Sequence, residues 1–294
     1  MSQSRAKLNL ITAMFIYGTI GLFVKWIDLP SSLIANVRGL VGTVFLLLVV
    51  AVRKDHLHWD AIRANLRWLI PTGIMLGFNW IFLFEAYRYV SVAVATVCYY
   101  LAPVFIILVS PIVLKENLTP LRCLCAAVAL IGMVLTSGVI QSGFSGSFRG
   151  ILLGISAAAM YAAIVMGNKK LKDLPAYDTT IVQLGISAIV LLPYNALTVD
   201  FSVLTLPPKS VLLLLVLGIV HTGLAYCLYF GCLPHLKAQT AAIFSYTDPI
   251  VAILLSALIL REPMDVLSAV GAVLVLGSTL VSELWEGRRK AAQN

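Results

Sequence analysis

The sequence predicts an all-α polytopic membrane protein, with ten transmembrane helices arranged as two inverted five-helix repeats. Three observations carry that expectation. The 294 residues are 60% hydrophobic and 12% charged, with a mean hydropathy of +0.97, which is more apolar surface than a water-soluble core of this size buries. Ten apolar runs come close to the roughly 20 residues that a helix needs to cross a hydrocarbon core. The third observation is internal: the stretch from Ala95 to Glu116 returns 146 positions later, from Ala241 to Glu262. Without a gap it matches at Ala95/Ala241, Tyr100/Tyr246, Pro103/Pro249, Ile107/Ile253, Leu108/Leu254, Ser110/Ser256, Leu114/Leu260 and Glu116/Glu262. Those are eight identities in 22 positions, where composition alone gives about two.

Taken in order, the runs are Leu8 to Trp26, Leu33 to Val52, Trp68 to Ala86, Val92 to Val113, Leu121 to Ile140, Gly150 to Gly167, Thr179 to Val199, Val211 to Phe230, Gln239 to Ile259 and Val266 to Trp285. The first is long enough to span and has no small-residue cleavage site after it, so it does not read as a cleavable signal. The basic segment Arg53 to Arg67 is the longest connection. The fourth run has Pro103 at its middle and a Lys115-Glu116 pair at its end, and the ninth repeats that layout with Pro249 and Arg261-Glu262. The same offset pairs Met14/Met160, Gly21/Gly167, Gly39/Gly185, Gly77/Gly223 and Phe84/Phe230. A first repeat is therefore expected over 1–142, a Ser- and Gly-rich linker over 143–149 and a second repeat over 150–294. Five spans per repeat is an odd number, so the second copy enters from the opposite side, and a pseudo-twofold axis lies in the membrane plane. Two such copies enclose a site near the midplane, and exchanging their conformations opens it to the other side.

Charge sets the orientation. The net charge is +8, and the basic residues sit in short clusters between apolar runs, where cytoplasmic loops and anionic headgroups meet them; nucleic acid is not implied. One set of alternate connections holds Arg53 to Arg67, Lys169 to Lys172 and Arg288 to Lys290, while the other holds only Lys25, Arg88, Arg149, Lys209 and Arg261. Both termini are expected in the cytoplasm.

The ten spans, the duplication, the Y-x-x-P pattern in Tyr100-Leu-Ala-Pro103 and Tyr246-Thr-Asp-Pro249, and the Lys115-Glu116 and Arg261-Glu262 pairs together resemble the drug/metabolite transporter superfamily, specifically its EamA-type carriers. The resemblance covers essentially the whole chain. It implies a secondary carrier of a small organic solute in a bacterial-type cytoplasmic membrane, with a central cavity lined by spans one, three, four, six, eight and nine. It implies no cofactor, and no Walker-type phosphate loop is present in the sequence.

Polar and aromatic groups near span midpoints are the candidate substrate-binding residues, because the bilayer core offers them no other partner. Asp248 is the sharpest: it either binds a substrate ammonium or carries a coupling proton, or else caps a backbone gap at Pro249 or pairs with Arg38. Arg38 suits a substrate carboxylate, or holds Asp248 or helix dipoles in place. Glu85 and Arg88 share a helix face, as an exposed ion pair or as a cation-attracting mouth. His221 relays protons or bonds between helices, and Gln183 reads as structural. Tyr17, Trp80, Tyr99, Tyr100, Tyr161, Tyr226 and Tyr246, with Asn79 beside Trp80, form either a cage for an organic cation or ordinary packing. Pro103 and Pro249 are hinge candidates. Gly73-x-x-x-Gly77 and Gly150-x-x-x-Gly154 read as close helix packing.

Other motifs lack context. His56-x-His58 has no third ligand, so no metal site is expected, and the five cysteines read as small buried hydrophobes. The expected partners are a small-molecule substrate, the lipid bilayer and coupling protons, with the chain a monomer or homodimer. The expected cargo is an amine-bearing metabolite, an amino acid or a quaternary ammonium compound. A multidrug or organic-cation exporter is the alternative. A membrane-embedded lipid-acting enzyme and a passive channel are less economical, because the polar candidates gather at the midplane and the repeat is inverted.

Overall fold

The computed structural model describes residues 2–113, 120–136, 148–202, 204–236 and 244–293. The expected linker over 143–149 falls mostly outside them, as do Lys115, Glu116 and the upper part of the ninth run.

Described residues fold as helices at all ten apolar runs. Seven segments are long and apolar enough to cross a membrane: Gln3–Trp26, Ser31–Val52, Trp59–Tyr89, Val92–Val109, Phe148–Asn168, Ala176–Thr198 and Pro208–Cys232. These are the first to fourth and sixth to eighth spans. Three shorter apolar helices, Cys123–Thr136, Thr247–Leu258 and Val266–Ser282, stand at the fifth, ninth and tenth. Large apolar side chains such as Leu48, Ile189, Leu212 and Val273 are exposed on the outside of the bundle, the distribution that lipid rather than water favours.

Four spans differ from the sequence reading. The third helix begins at Trp59, so Arg63 and Arg67 belong to its first turns and not to a basic loop. The first span is two helices, Gln3–Gly18 and Ile20–Trp26, joined at Thr19. The fourth is also two, Val92–Tyr99 and Ala102–Val113, so Pro103 is not mid-helix. It sits in the first turn after a break at Tyr100-Leu101, where a missing N–H and a fixed φ cost nothing. The ninth follows suit, with a turn at Tyr246 before Thr247–Leu258.

Packing across the repeats is reciprocal. A Cβ added at Gly77 of the third span would meet Ser187 and Leu191 of the seventh, and one added at Gly223 of the eighth would meet Phe45 of the second. Gly223 is the 146-residue counterpart of Gly77, and Leu191 is that of Phe45. Gly39 lies against Ala188, and its counterpart Gly185 lies against Thr43, next to Gly42, the counterpart of Ala188. When residue i of one copy meets j of the other and j meets i, the interface is isologous, as a twofold axis requires. The counterparts Tyr100 and Tyr246 meet each other, with ring centroids 6.0 Å apart.

Candidate functional site

The broken spans four and nine bring their ends together at the centre of the bundle. Asp248 stands in the first turn of the half-helix Thr247–Leu258, and its Oδ2 accepts the Tyr100 hydroxyl at 3.1 Å. The first span comes close at this level because it carries glycine there: a Cβ on Gly18 would lie 2.6 Å from the Asp248 carbonyl oxygen. Tyr17 is therefore held next to the half-helix. Its hydroxyl is buried and has no hydrogen-bond partner among the described residues.

Two aromatic clusters flank this point. Tyr161, Tyr99, Tyr100 and Tyr246 form a chain with centroid separations of 5.4, 6.5 and 6.0 Å. Tyr17 packs edge-on against Tyr226 at 5.7 Å and Tyr229 at 6.4 Å, and Phe230 closes that group. Tyr246 is buried and donates to Thr279 of the tenth span at 2.8 Å. Tyr161 stands at the rim, 40% exposed. Asn79, fully buried, donates to the Ala157 carbonyl at 2.6 Å, while its Oδ1 lacks a partner among the described residues.

Arg38 is 4% exposed in the middle of the second span. Its Nε donates to Thr222 Oγ1 at 2.8 Å, and its guanidinium carbon lies 4.3 Å from the Trp80 ring centroid and 5.8 Å from that of Phe84. Thr222 reaches it from a π-helical segment, Leu217–Leu224, a rare turn that redirects side chains. The same turn aims His221 at the break in the first span, where Nε2 is 2.8 Å from Thr19 Oγ1 and Nδ1 is 3.2 Å from the Val216 carbonyl. Phe23 covers the ring at 4.6 Å.

Other candidates lie toward the ends. Glu85 accepts from Ser31 at 2.7 Å and pairs with Arg88 at 3.5 Å, and Arg88 also donates to the Leu29 carbonyl. Gln183 donates to Thr72 and Asn168, both at 2.7 Å. Glu262 turns back from the end of the ninth span, pairs with Lys25 at 2.9 Å, and accepts the Val92 N–H at 2.8 Å and the Ser256 hydroxyl at 2.5 Å. That tie across spans one, four and nine was not foreseen as a contact, although the Arg261-Glu262 motif marked the position. His58 bonds Asp178 of the seventh span through its N–H at 3.0 Å and its Nδ1 at 2.8 Å. Among the cysteines, Cys123 is exposed rather than buried.

The aromatic side chains of the two clusters pack on one another at the level of Asp248, most of them half-buried. Two recesses lie away from these clusters. One of about 290 Å³ is a shallow groove between the fifth and tenth spans. The other, about 380 Å³, lies where the first span ends and is lined by Lys25, Asp28, Ile34, Phe84, Tyr87 and Arg88 among others.

A model described as the EamA-like transporter family matches residues 5–138 and again 148–283. The chain is 29% identical over 276 residues to the uncharacterized transporter YxxF of Bacillus subtilis (strain 168), covering 93% of this chain and 88% of that one. It is 21% identical to the uncharacterized transporter YoaV of the same organism, over 97% and 99% of the two chains. An uncharacterized transporter of Helicobacter pylori (strain J99 / ATCC 700824) is 27% identical over 94% and 93%. A crystal structure with 21% sequence identity superposes with a TM-score of 0.64, over 98% of this chain and 99% of that one, which supports the fold.

Proposed function

The chain belongs to the EamA-like transporter family, within the drug/metabolite transporter superfamily, and from that premise we propose that it carries an amine-bearing organic solute by alternating access, with Asp248 as the ammonium site. It is a multi-pass membrane transporter and not an enzyme. One observation carries the assignment of Asp248. The two structural roles open to this carboxylate, capping its half-helix and pairing with Arg38, are both unfilled: the half-helix has no side-chain cap, and no ion pair among the described residues includes Asp248. Its hydrogen-bond partner is the Tyr100 hydroxyl, which orients one oxygen and leaves the other for a cation.

Geometry supplies the rest. Tyrosine faces around a carboxylate attract an ammonium group, each desolvated contact contributing about 2 kcal/mol. The breaks at Tyr100 and Tyr246 are counterparts under the twofold, so a change of angle at one has a matching change at the other. Asp248, sharing a span with that break, is the proposed proton carrier as well. The proposed setting is a bacterial-type cytoplasmic membrane with both termini in the cytoplasm, following the distribution of Lys and Arg.

Replacement of Asp248 by Asn tests the assignment. In proteoliposomes, Asp248→Asn should lose counterflow of labelled amino acids and choline-like amines and should no longer respond to an imposed pH gradient. Transport at the wild-type rate with an unchanged pH profile would remove Asp248 from the mechanism.

A further inference from the structure

We infer that the transported solute also carries a carboxylate or a similar oxyanion, and that Arg38 is its anchor. The inference rests on the ammonium reading of Asp248 and narrows the solute from amines in general to zwitterions.

The observation is an uncompensated charge. A guanidinium 4% exposed in the middle of a membrane span is costly unless something pairs with it. Arg38 has one hydrogen bond, from Nε to Thr222, and two aromatic rings beneath it. No carboxylate among the described residues lies within ion-pair distance of it. Its terminal nitrogens, the fork that binds a carboxylate with two parallel bonds, have no acceptor among the described residues. Nor is the side chain loosely placed, since Trp80, Phe84 and Thr222 come from two spans and fix the plane of the fork before anything binds.

Position agrees with charge. The hydroxyls of Tyr226, Tyr17, Tyr87 and Tyr99 lie within electrostatic range of Arg38, and Asp248 does too without pairing with it. Arg38 and Asp248 are thus two unlike charges that feel each other without forming an ion pair, which suits a molecule that carries both charges. Tyr17 Oη and Asn79 Oδ1, both buried without partners among the described residues, border the same cluster. The 380 Å³ recess, with Lys25 and Arg88 in its lining, reaches Phe84, one of the two rings that Arg38 overlies.

Matched ligands on the purified full-length chain test the inference, with thermal shift as the readout. The probes are L-phenylalanine with phenethylamine, which lacks the carboxylate, and 3-phenylpropionate, which lacks the amine; glycine betaine with choline forms a second pair. The wild type should bind the zwitterion of at least one set about tenfold or more tighter than its amine-only partner. Arg38→Met should abolish that preference while still binding the amine-only probe as the wild type does, and Arg38→Lys should keep part of it. Because the readout is a ratio within one variant, a misfolded variant, which binds neither member, cannot imitate this result. The Arg38→Met/Asp248→Asn pair separates the rival role: if Arg38 only neutralises Asp248, the double variant regains the preference that the single one lost. Equal wild-type binding of both members, or a preference that survives Arg38→Met, overturns the inference. Binding of 3-phenylpropionate as tight as that of phenylalanine would sink the ammonium reading and leave the Arg38 anchor standing. A wild type that responds to no probe contradicts both.

Discussion

At the residue scale the account turns on which buried polar groups have partners. Gln183, read as structural, has two, and His58 and Asp178 satisfy each other. Asp248, Tyr17, Asn79 and Arg38 do not complete theirs. Tyr100→Phe removes the one bond that orients Asp248; substrate affinity should fall about three- to tenfold, a net hydrogen bond contributing about 1 kcal/mol, while unfolding temperature stays near wild type. An isotherm of the best probe for each protein measures it, and unchanged affinity would dismiss the orienting role. His221 behaves as a post between helices. His221→Ala should destabilise the protein by about 1–3 kcal/mol, because Thr19 and the Val216 carbonyl lose their link, and should leave the pH profile of transport alone. A flattened profile would instead make it the proton carrier. Most of these residues were legible as polar or aromatic groups inside apolar runs. Thr19, Thr222 and Tyr229 were not singled out, since a hydroxyl in such a run normally bonds its own helix, and the contact of Thr19 with His221 spans 202 positions.

At the element scale the informative features are interruptions. The runs of spans one, four and eight read as unbroken helices because a break of one or two residues, or one π turn, leaves hydropathy unchanged. In spans four and nine Pro103 and Pro249 signalled irregularity, and they marked the start of each half-helix rather than its middle. Gly218 and Gly223 in the eighth span were the available hint of the π segment: a side chain at either would strike Val41 or Phe45. If the half-helix beginning at Thr247 moves during transport, Pro249→Ala should slow turnover with little change in substrate affinity, seen as a lowered kcat at constant KM. Gly18→Val should fail at both, because its side chain would meet the Asp248 carbonyl and Val251 and displace the half-helix that carries the site.

At the scale of the whole molecule, the duplication was readable because an offset of 146 recurs in the first four spans of each copy, and the reciprocal packing of Gly77 and Gly223 agrees with it. That reciprocity makes a prediction no single copy makes. Gly77→Leu and Gly223→Leu should each destabilise the protein by about 1–3 kcal/mol through overpacking, and by similar amounts, as chemical unfolding in detergent would register. What the sequence left unread was how the copies are tied at their ends, by Glu262 to Lys25 and Val92 on one side and by His58 to Asp178 on the other, because such pairs join residues more than a hundred positions apart. The inverted arrangement is the premise of every proposal about access. Single cysteines in place of Lys54 and of Lys209, in a cysteine-free background, labelled by a membrane-impermeant maleimide added to either face of oriented vesicles, test it most directly. Labelling of the two from opposite faces is the predicted result; labelling of both from the same face would contradict the account.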